Sequence, residues 1–408
     1  MKKEKLRLGL VGFGNRGMAL LRDILLPMSR MDVVLCGVCD AYADRVEAAA
    51  QAIQADGGTR PFCTTDYHEL VAMDVDAVVV MTAWESHVAI AVAAMQAGKA
   101  VAMEVGGAYS VADCWRLVDT AESTGMPCML LENCCYGKRE LMALRMAREG
   151  FFGEIPFCEG GYHHDLREEI AYGAENRHYR LRNYLHRNAE NYPTHELGPI
   201  AKLLHINDGN RMLSLTAVAS CARGMHAYVL QKKGAADTLA GAAFAQGDVL
   251  KTAITCAGGE LIELTLDTTL PRTYSRGFTV RGTRGAYFED TDAVFEDGRH
   301  NAYEFRAREL WGNAAEYEAR YRHPLWENYT VKGGHDGIDW LVFRAFIEAV
   351  KAGVQPPIDV YDAAAWMCVS ALSEQSIAAG GAPQAIPDFT RGRWMERTDI
   401  AEQPYSLR

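Results

Sequence analysis

Tyr192 and His195 lie in the stretch Asn-Tyr-Pro-Thr-His-Glu-Leu-Gly-Pro, residues 191–199. Three positions apart, they share one face of any helix they enter. A neutral imidazole accepts a proton near neutral pH, and a phenol can hydrogen-bond an oxyanion or relay a proton. The pair therefore reads as proton-transfer chemistry, with a packed ring and a backbone-satisfied imidazole as the plainer alternative. Pro193 and Pro199 each suit the first position of a helix, so His195 is expected in, or just before, a first turn in either register.

A second constellation reads as anion binding. Gly12-Phe13-Gly14-Asn15-Arg16-Gly17 follows a predicted strand and opens a predicted helix, the context that makes Gly-x-Gly-x-x-Gly specific. Gly12 permits the tight turn, Gly14 lets the backbone approach a pyrophosphate, and Gly17 allows close helix–sheet packing. Asp40 ends the next predicted strand, where a carboxylate can accept both hydroxyls of an adenosine ribose and repel a 2′-phosphate. NAD is the expected cofactor. The same residue could also cap the helix predicted over "AYADRVEA".

These residues need two kinds of scaffold. Residues 6–136 alternate continuous apolar strands ("LRLGLVGFG", "DVVLCGVCD", "DAVVVMT", "AVAMEV", "PCMLLEN") with helical runs, which predicts a parallel, doubly wound α/β Rossmann domain. From about residue 154 the strands alternate apolar with polar residues, as in "LKTAITCAG" and "ELIELTLDTT". That pattern predicts an α+β domain whose mainly antiparallel sheet is packed on one face and open on the other. The expected division is 1–136 for the NAD-binding domain and 137–408 for the substrate-binding domain. The helices of "GIDWLVFRAFIEAVKAG" and "VYDAAAWMCVSALSEQSIAAGG" read as amphipathic and are expected to pack back toward the first domain.

Bulk properties narrow the classes. At 408 residues, two domains are the default, and 49% hydrophobic with 23% charged residues is ordinary globular composition. A formal charge of −11 argues against nucleic acid as a partner. No window approaches 18 uncharged apolar residues, and "MKKEKLRLGLVGFG" runs straight into a strand, so no membrane association and a cytoplasmic location are expected. The 11 cysteines are scattered and mostly sit in apolar runs, which reads as buried reduced thiols. His163-His164-Asp165 is the nearest ligand-like cluster, and without a further set of ligands no metal is expected. An exposed sheet edge makes a homo-oligomer a candidate assembly.

Domain order and content resemble the Gfo/Idh/MocA oxidoreductase family. Members of that family usually carry Glu-Lys-Pro after the fifth strand, with a catalytic Lys, whereas Glu104-Val105-Gly106 stands here. An apolar valine delivers no proton. Nine ordered blocks narrow the resemblance to the NAD-dependent glycosidases of glycoside hydrolase family 109, typified by α-N-acetylgalactosaminidases. They are "TAWESH" (82–87), "MEV" (103–105), "ENCCY" (132–136), "MAREGFFGEI" (146–155), "EGGYHHDLR" (159–167), "YRLRN" (179–183), "NYPTHELGPIAKLLHIN" (191–207), "LPRTYSRGFTVRGTRG" (270–285) and "HPLWENYTVKGGHDGID" (323–339).

The resemblance implies cofactor contacts from Asn15, Arg16, Asp40, Trp84, His87, Glu104, Val105 and Asn133, besides the glycines. It implies sugar contacts from Tyr162, Arg180, Tyr192 and Tyr274, with Tyr192 and His195 as the proton-transfer pair. The basic run "HYRLRNYLHR" around Arg180 reads either as a clamp for an anionic sugar or as a solvated charged face. The roles of Glu196, directly after His195, and of His335 in "GGHDG" stay open. The implied chemistry oxidises the sugar at C3, which acidifies C2–H; a base then removes that proton, the C1 substituent is eliminated, water adds and C3 is re-reduced. NAD-dependent glycosidases are a known exception to the paired-carboxylate route. A conventional NAD-dependent sugar dehydrogenase of the Gfo/Idh/MocA family is the alternative.

Overall fold

The computed structural model describes residues 5–301, 303, 306–400 and 402–408. Near the start of the chain, β1 (Leu6–Val11), β2 (Val33–Cys39), β3 (Phe62–Thr64), β4 (Ala77–Val80), β5 (Ala100–Met103) and β6 (Cys128–Leu130) pair in the order β3-β2-β1-β4-β5-β6. Every pairing is parallel. β4 and β5 are buried along their whole length, which explains why they read as continuous apolar runs: the helix Trp84–Gln96 packs against both strands and against the helix Val111–Thr124. The helix Val111–Thr124 starts where the Ser110 hydroxyl accepts the Asp113 amide and stops at left-handed Gly125. Strand order reverses between β1 and β4, so the ends of those strands flank the crevice in which such sheets bind ligands.

The remaining strands are β7 (Phe157–His163), β8 (Met212–Ala219), β9 (Val249–Cys256), β10 (Leu261–Asp267), β11 (Thr279–Arg281), β12 (Gly285–Phe288), β13 (Ala293–Glu296) and β14 (Gln384–Ala385). They form one sheet in the order β13-β12-β11-β7-β10-β9-β8-β14. Along β9, Leu250, Thr252, Ile254 and Cys256 are buried while Lys251, Ala253 and Thr255 are exposed, so one face is packed and the other open. The sheet is antiparallel except where β10 runs parallel to β7, from Leu261 beside Phe157 to Asp267 beside His163. Alternation reports which face a residue occupies and says nothing about strand direction, so this one parallel pair was not readable.

The chain falls into two compact units. The first runs to Tyr136 and takes in Tyr329–Ala364 and Arg397–Leu407; the second comprises Gly137–Asn328, Ala365–Glu396 and Arg408. Residues 329–364 and 397–407, placed by the sequence in the second domain, thus group with the first. The helix Ile338–Ala352 belongs to that first unit, where Arg344 and Lys351 both bind Asp32. The helix Val360–Ala378 is not amphipathic as expected: Val360 to Ser373 is buried on all sides. Its polar residues are satisfied internally, since the Ser370 hydroxyl donates to the Glu190 carbonyl and Ser373 Oγ accepts the Glu190 amide at 2.9 Å.

All cysteines are free, and eight of the 11 are buried. Cys36-Gly-Val-Cys39 has the Cys-x-x-Cys spacing, but on β2 a separation of three turns the two side chains to opposite faces. Among the described residues no helix is long and apolar enough to cross a membrane.

Candidate active site and dinucleotide cradle

In the first unit the glycines differ in what they make possible. Gly12, at φ +100°, lies against the backbone of Met81 and Thr82, and a Cβ there would come within 2.6 Å of the Met81 carbonyl. A Cβ on Gly17 would lie 2.1 Å from the Gly12 carbonyl oxygen, so helix and strand meet at that point with no room for a side chain. Gly14 is the reverse case. It precedes the helix Asn15–Leu20, and the nearest atom to a Cβ there is an Arg45 guanidinium nitrogen at 3.7 Å. That opening, at a helix start with no side-chain cap, fits a pyrophosphate, and the residues present fit a dinucleotide.

Asp40, just past β2, is buried and accepts the amides of Phe13 (2.6 Å) and Tyr42 (3.0 Å) on separate oxygens. Each oxygen keeps a lone pair for a hydroxyl. The helix beyond it starts at Ala43 with Tyr42 as cap, so the capping role allowed for Asp40 is not seen. Asp40 instead joins the end of β2 to the Gly-rich turn.

The other cofactor candidates follow β4, β5 and β6. Trp84 lies against Gly106, where a Cβ would come within 2.4 Å of the indole. Val105 is buried beside it in sequence, and Glu104 accepts from Arg16 at 3.3 Å. Asn133 is buried and donates to Asp339 at 2.7 Å. Asn15 is exposed in the first helical turn.

His87 is buried, and its Nε2–H donates to the Thr82 carbonyl at 2.9 Å, bracing the turn that carries Trp84. Burial pushes its pKa down to about 4, so the ring is neutral in the folded protein. The unfolded ring gains a proton near pH 6.5 and the folded one resists, so stability is lost as pH falls from about 6.5 toward 4. Between pH 7 and 5 the cofactor-free protein should therefore lose about 2 kcal/mol more than His87→Gln, as measured by urea unfolding. Equal losses in the two proteins would refute a neutral buried ring.

The second unit gathers the sugar-site candidates. The helix Thr194–Leu203 lies directly on β7: a Cβ on Gly160 would come within 2.9 Å of the Glu196 Cβ and 3.1 Å of Ile200. That close approach brings the end of β7 and the start of the helix together. Tyr162 and Tyr192 have ring centroids 4.5 Å apart, and His195 lies 4.8 Å from Tyr192 and 5.7 Å from Tyr162. Tyr192 Oη is 3.3 Å from His195 Nε2, so phenol and imidazole share a hydrogen bond whose direction follows the tautomer. The helix begins at Thr194 after Pro193, which settles the register; Pro199 lies inside and cannot supply the amide that would bond the His195 carbonyl.

Arg180 is buried, binds Glu169 and lies 5.3 Å from the Tyr192 ring. Burial alone would raise the Glu169 pKa, but Arg180 and His178 outweigh it and hold the carboxylate below its ordinary range. Arg187 is likewise buried and bound to Glu374. The inner cations of the basic run, Arg180 and Arg187, are thus matched by carboxylates of the same unit, while Arg182 and His186 are exposed. Tyr274 is half exposed and edge-on to His164 at 5.1 Å.

Sequence reasoning named His164 only within a ligand-like cluster, not beside Tyr162, and missed Glu169. Tyr162 Oη is 3.1 Å from His164 Nδ1, and burial, followed by Arg180, lowers the His164 pKa. The signal existed: two residues apart at the end of a strand, Tyr162 and His164 occupy one face. His163 turns the other way, over Gly161 and Gly277, so the paired histidines do not converge on a metal. No periodicity marks Glu169, which meets Arg180 only through the fold. Glu190, two residues before Tyr192, is fully buried, and burial pushes its carboxyl up to about 8, so it is held neutral.

Comparison with known proteins agrees with this architecture. Residues 6–131 match the oxidoreductase family with an NAD-binding Rossmann fold, and residues 136–396 match the C-terminal domain of glycosyl hydrolase 109. A glycosyl hydrolase family 109 protein of Stenotrophomonas maltophilia is 37% identical, covering 97% of this chain and 92% of that one. An alpha-N-acetylgalactosaminidase of Tannerella forsythia is 38% identical over 96% and 88%. An inositol dehydrogenase homolog from Azotobacter vinelandii, solved with NAD+, shares the fold at a TM-score of 0.65 and 16% identity, over 94% of this chain and 97% of that one. The chain thus joins an NAD-binding Rossmann domain to a family-specific second domain, and it belongs to glycosyl hydrolase family 109.

Proposed function

We propose that this protein is an NAD-dependent glycoside hydrolase that removes the C2 proton of a bound sugar after transient oxidation at C3. The observation that carries the reading is the hydrogen-bonded Tyr192–His195 pair set among Tyr162, His164 and Arg180. Bound NAD would accept a hydride from C3 and later return it, with no net redox change. His195 takes the C2 proton. Tyr192 holds the developing enolate oxygen or relays the proton, and the C1 substituent departs by elimination; water then adds at C1 and a proton returns to C2 before C3 is re-reduced. Asp40 supports NAD over NADP, since a carboxylate at the ribose repels a 2′-phosphate. Val105, where a dehydrogenase would use lysine, supports a proton route through the second unit's own residues.

The matched charges of Arg180 with Glu169 and Arg187 with Glu374 favour a neutral sugar over an acidic one. Incubating the holoenzyme with α- and β-aryl glycosides in deuterated water should release a sugar carrying deuterium at C2, with no stoichiometric NADH. Cleaved sugar that kept protium at C2 would reject the elimination route, and NADH accumulating in step with product would instead establish a dehydrogenase.

A further inference from the structure

We propose that Asp339 is a positioning residue for the dinucleotide, whose buried carboxylate fixes Arg16 and Asn133 together with the turn carrying His335 and so keeps the cofactor from leaving. Asp339 opens the helix Ile338–Ala352 and is only 2% exposed. Arg16 grips it as a two-pronged fork, Nη1 to Oδ2 and Nη2 to Oδ1 each at 2.8 Å. Asn133 Nδ2 donates to Oδ1 at 2.7 Å, and His335 Nδ1 lies 2.8 Å from Oδ2. One carboxylate therefore links the residue two past Gly14, the segment after β6 and the turn that precedes its own helix. Arg16 and Asn133 are also two of the residues that the family resemblance assigns to the cofactor. Burial alone would raise the Asp339 pKa, yet Arg16 and His335 hold it far below the ordinary carboxylate range.

The turn around His335 is a second, independent observation. His335 and Asp336 sit at φ 50° and 52°, between Gly333 at +74° and Gly337 at +88°. Two adjacent non-glycine residues in the left-handed region persist only where the surroundings fix them. They are fixed on three sides. A Cβ on Gly333 would come within 2.4 Å of Ile24, in the π-helical turn that extends the Gly-rich loop's helix; Tyr329 Oη donates to the Gly337 carbonyl at 2.7 Å; and Asp339 holds the imidazole. The turn is thus a strap along the dinucleotide-binding helix, from Ile24 in its π-helical turn to Arg16 near its start, with Asp339 as its clasp.

The inference rests on the proposed hydrolytic cycle, in which the hydride goes back to the sugar it came from. Cofactor lost between the two transfers would strand a ketone. An enzyme of this kind needs slow dinucleotide release, unlike a dehydrogenase that exchanges NADH every turnover.

Asp339→Asn keeps the shape and removes the charge that both prongs of Arg16 need. Stopped-flow NADH fluorescence should show release from Asp339→Asn at least tenfold faster than from wild type, with NAD+ affinity falling in parallel. The cofactor-free melting temperature should also drop, since a buried ion pair loses one partner, and a triple background separates that loss from cofactor retention. The same substitution in protein already carrying Arg16→Met and Asn133→Ala should have a much smaller effect. Release within twofold of wild type, or an equal effect in the triple background, overturns the proposal. Should Asp339→Asn fail to fold, Asp339→Glu, which keeps the charge and displaces the fork, gives the same readout under the same criteria. NADH binding is measured without glycoside, so normal retention by the variant sinks this inference alone, whereas a wild type that binds no NADH sinks the hydrolytic reading with it.

Discussion

His195→Asn should lower kcat for aryl glycoside cleavage by about 100- to 10,000-fold, the usual contribution of a positioned general base. Dinucleotide affinity should stay at the wild-type value, because none of the residues around the Gly-rich turn changes. Tyr192→Phe should cost about 100- to 1,000-fold, as expected for one hydrogen-bond donor to developing charge. The two effects should not add. Tyr192 Oη and His195 Nε2 are 3.3 Å apart, so once the imidazole is gone the phenol has lost the partner through which it acts. Deuterium wash-in at C2 isolates the proton step from binding and product release, and in His195→Asn it should vanish together with cleavage. Wild-type exchange in that variant would move the base elsewhere, with His164 next in line because it shares Tyr162's hydroxyl at 3.1 Å.

How much of this was legible in the sequence depends on the range over which each feature is fixed. The Gly-rich turn, Asp40 and the apolar strands are local: strand, turn and helix follow one another within a few dozen residues, and their meaning survives without the rest of the chain. The spacing of Tyr192 and His195 singled the pair out, but Tyr192 lies two residues before the helix Thr194–Leu203, so it is the turn through Pro193, not a shared helix face, that brings phenol and imidazole together. Arg180 was named, but its partner was not. Glu169 lies eleven residues upstream in a segment with no periodic signal, and only the folded chain shows that a cation that looked free is matched. Asp339 is the extreme case. Its partner Arg16 is 323 positions away, and nothing in "GGHDGID" betrays that the acidic residue faces inward toward the first turn of the molecule. The buried helix Val360–Ala378 misled in the opposite sense, because its serines mimic a polar face while bonding to backbone inside the second unit.

The glycines of the cradle give a prediction that separates fold from cofactor. At Gly14 an added methyl meets nothing nearer than 3.7 Å in the protein alone, so Gly14→Ala should fold and melt like the wild type. The same methyl would fill the space through which the backbone approaches the pyrophosphate. Overpacking of that kind costs about 1–3 kcal/mol, which weakens NAD binding by about 5- to 150-fold. Glycoside cleavage at low NAD should fall by the same factor and recover when NAD is raised. Gly17→Ala should behave differently, because its methyl would lie 2.1 Å from the Gly12 carbonyl oxygen whether or not cofactor is present. The helix must shift away from β1, so stability and binding should fall together and added NAD should rescue neither fully. Isothermal titration of NAD beside thermal melts of cofactor-free protein distinguishes the two. A Gly14→Ala protein that binds NAD as tightly as wild type would mean that the dinucleotide does not cross this turn, and the assignments of Arg16, Asn133 and Asp339 to its retention would then lose their anchor.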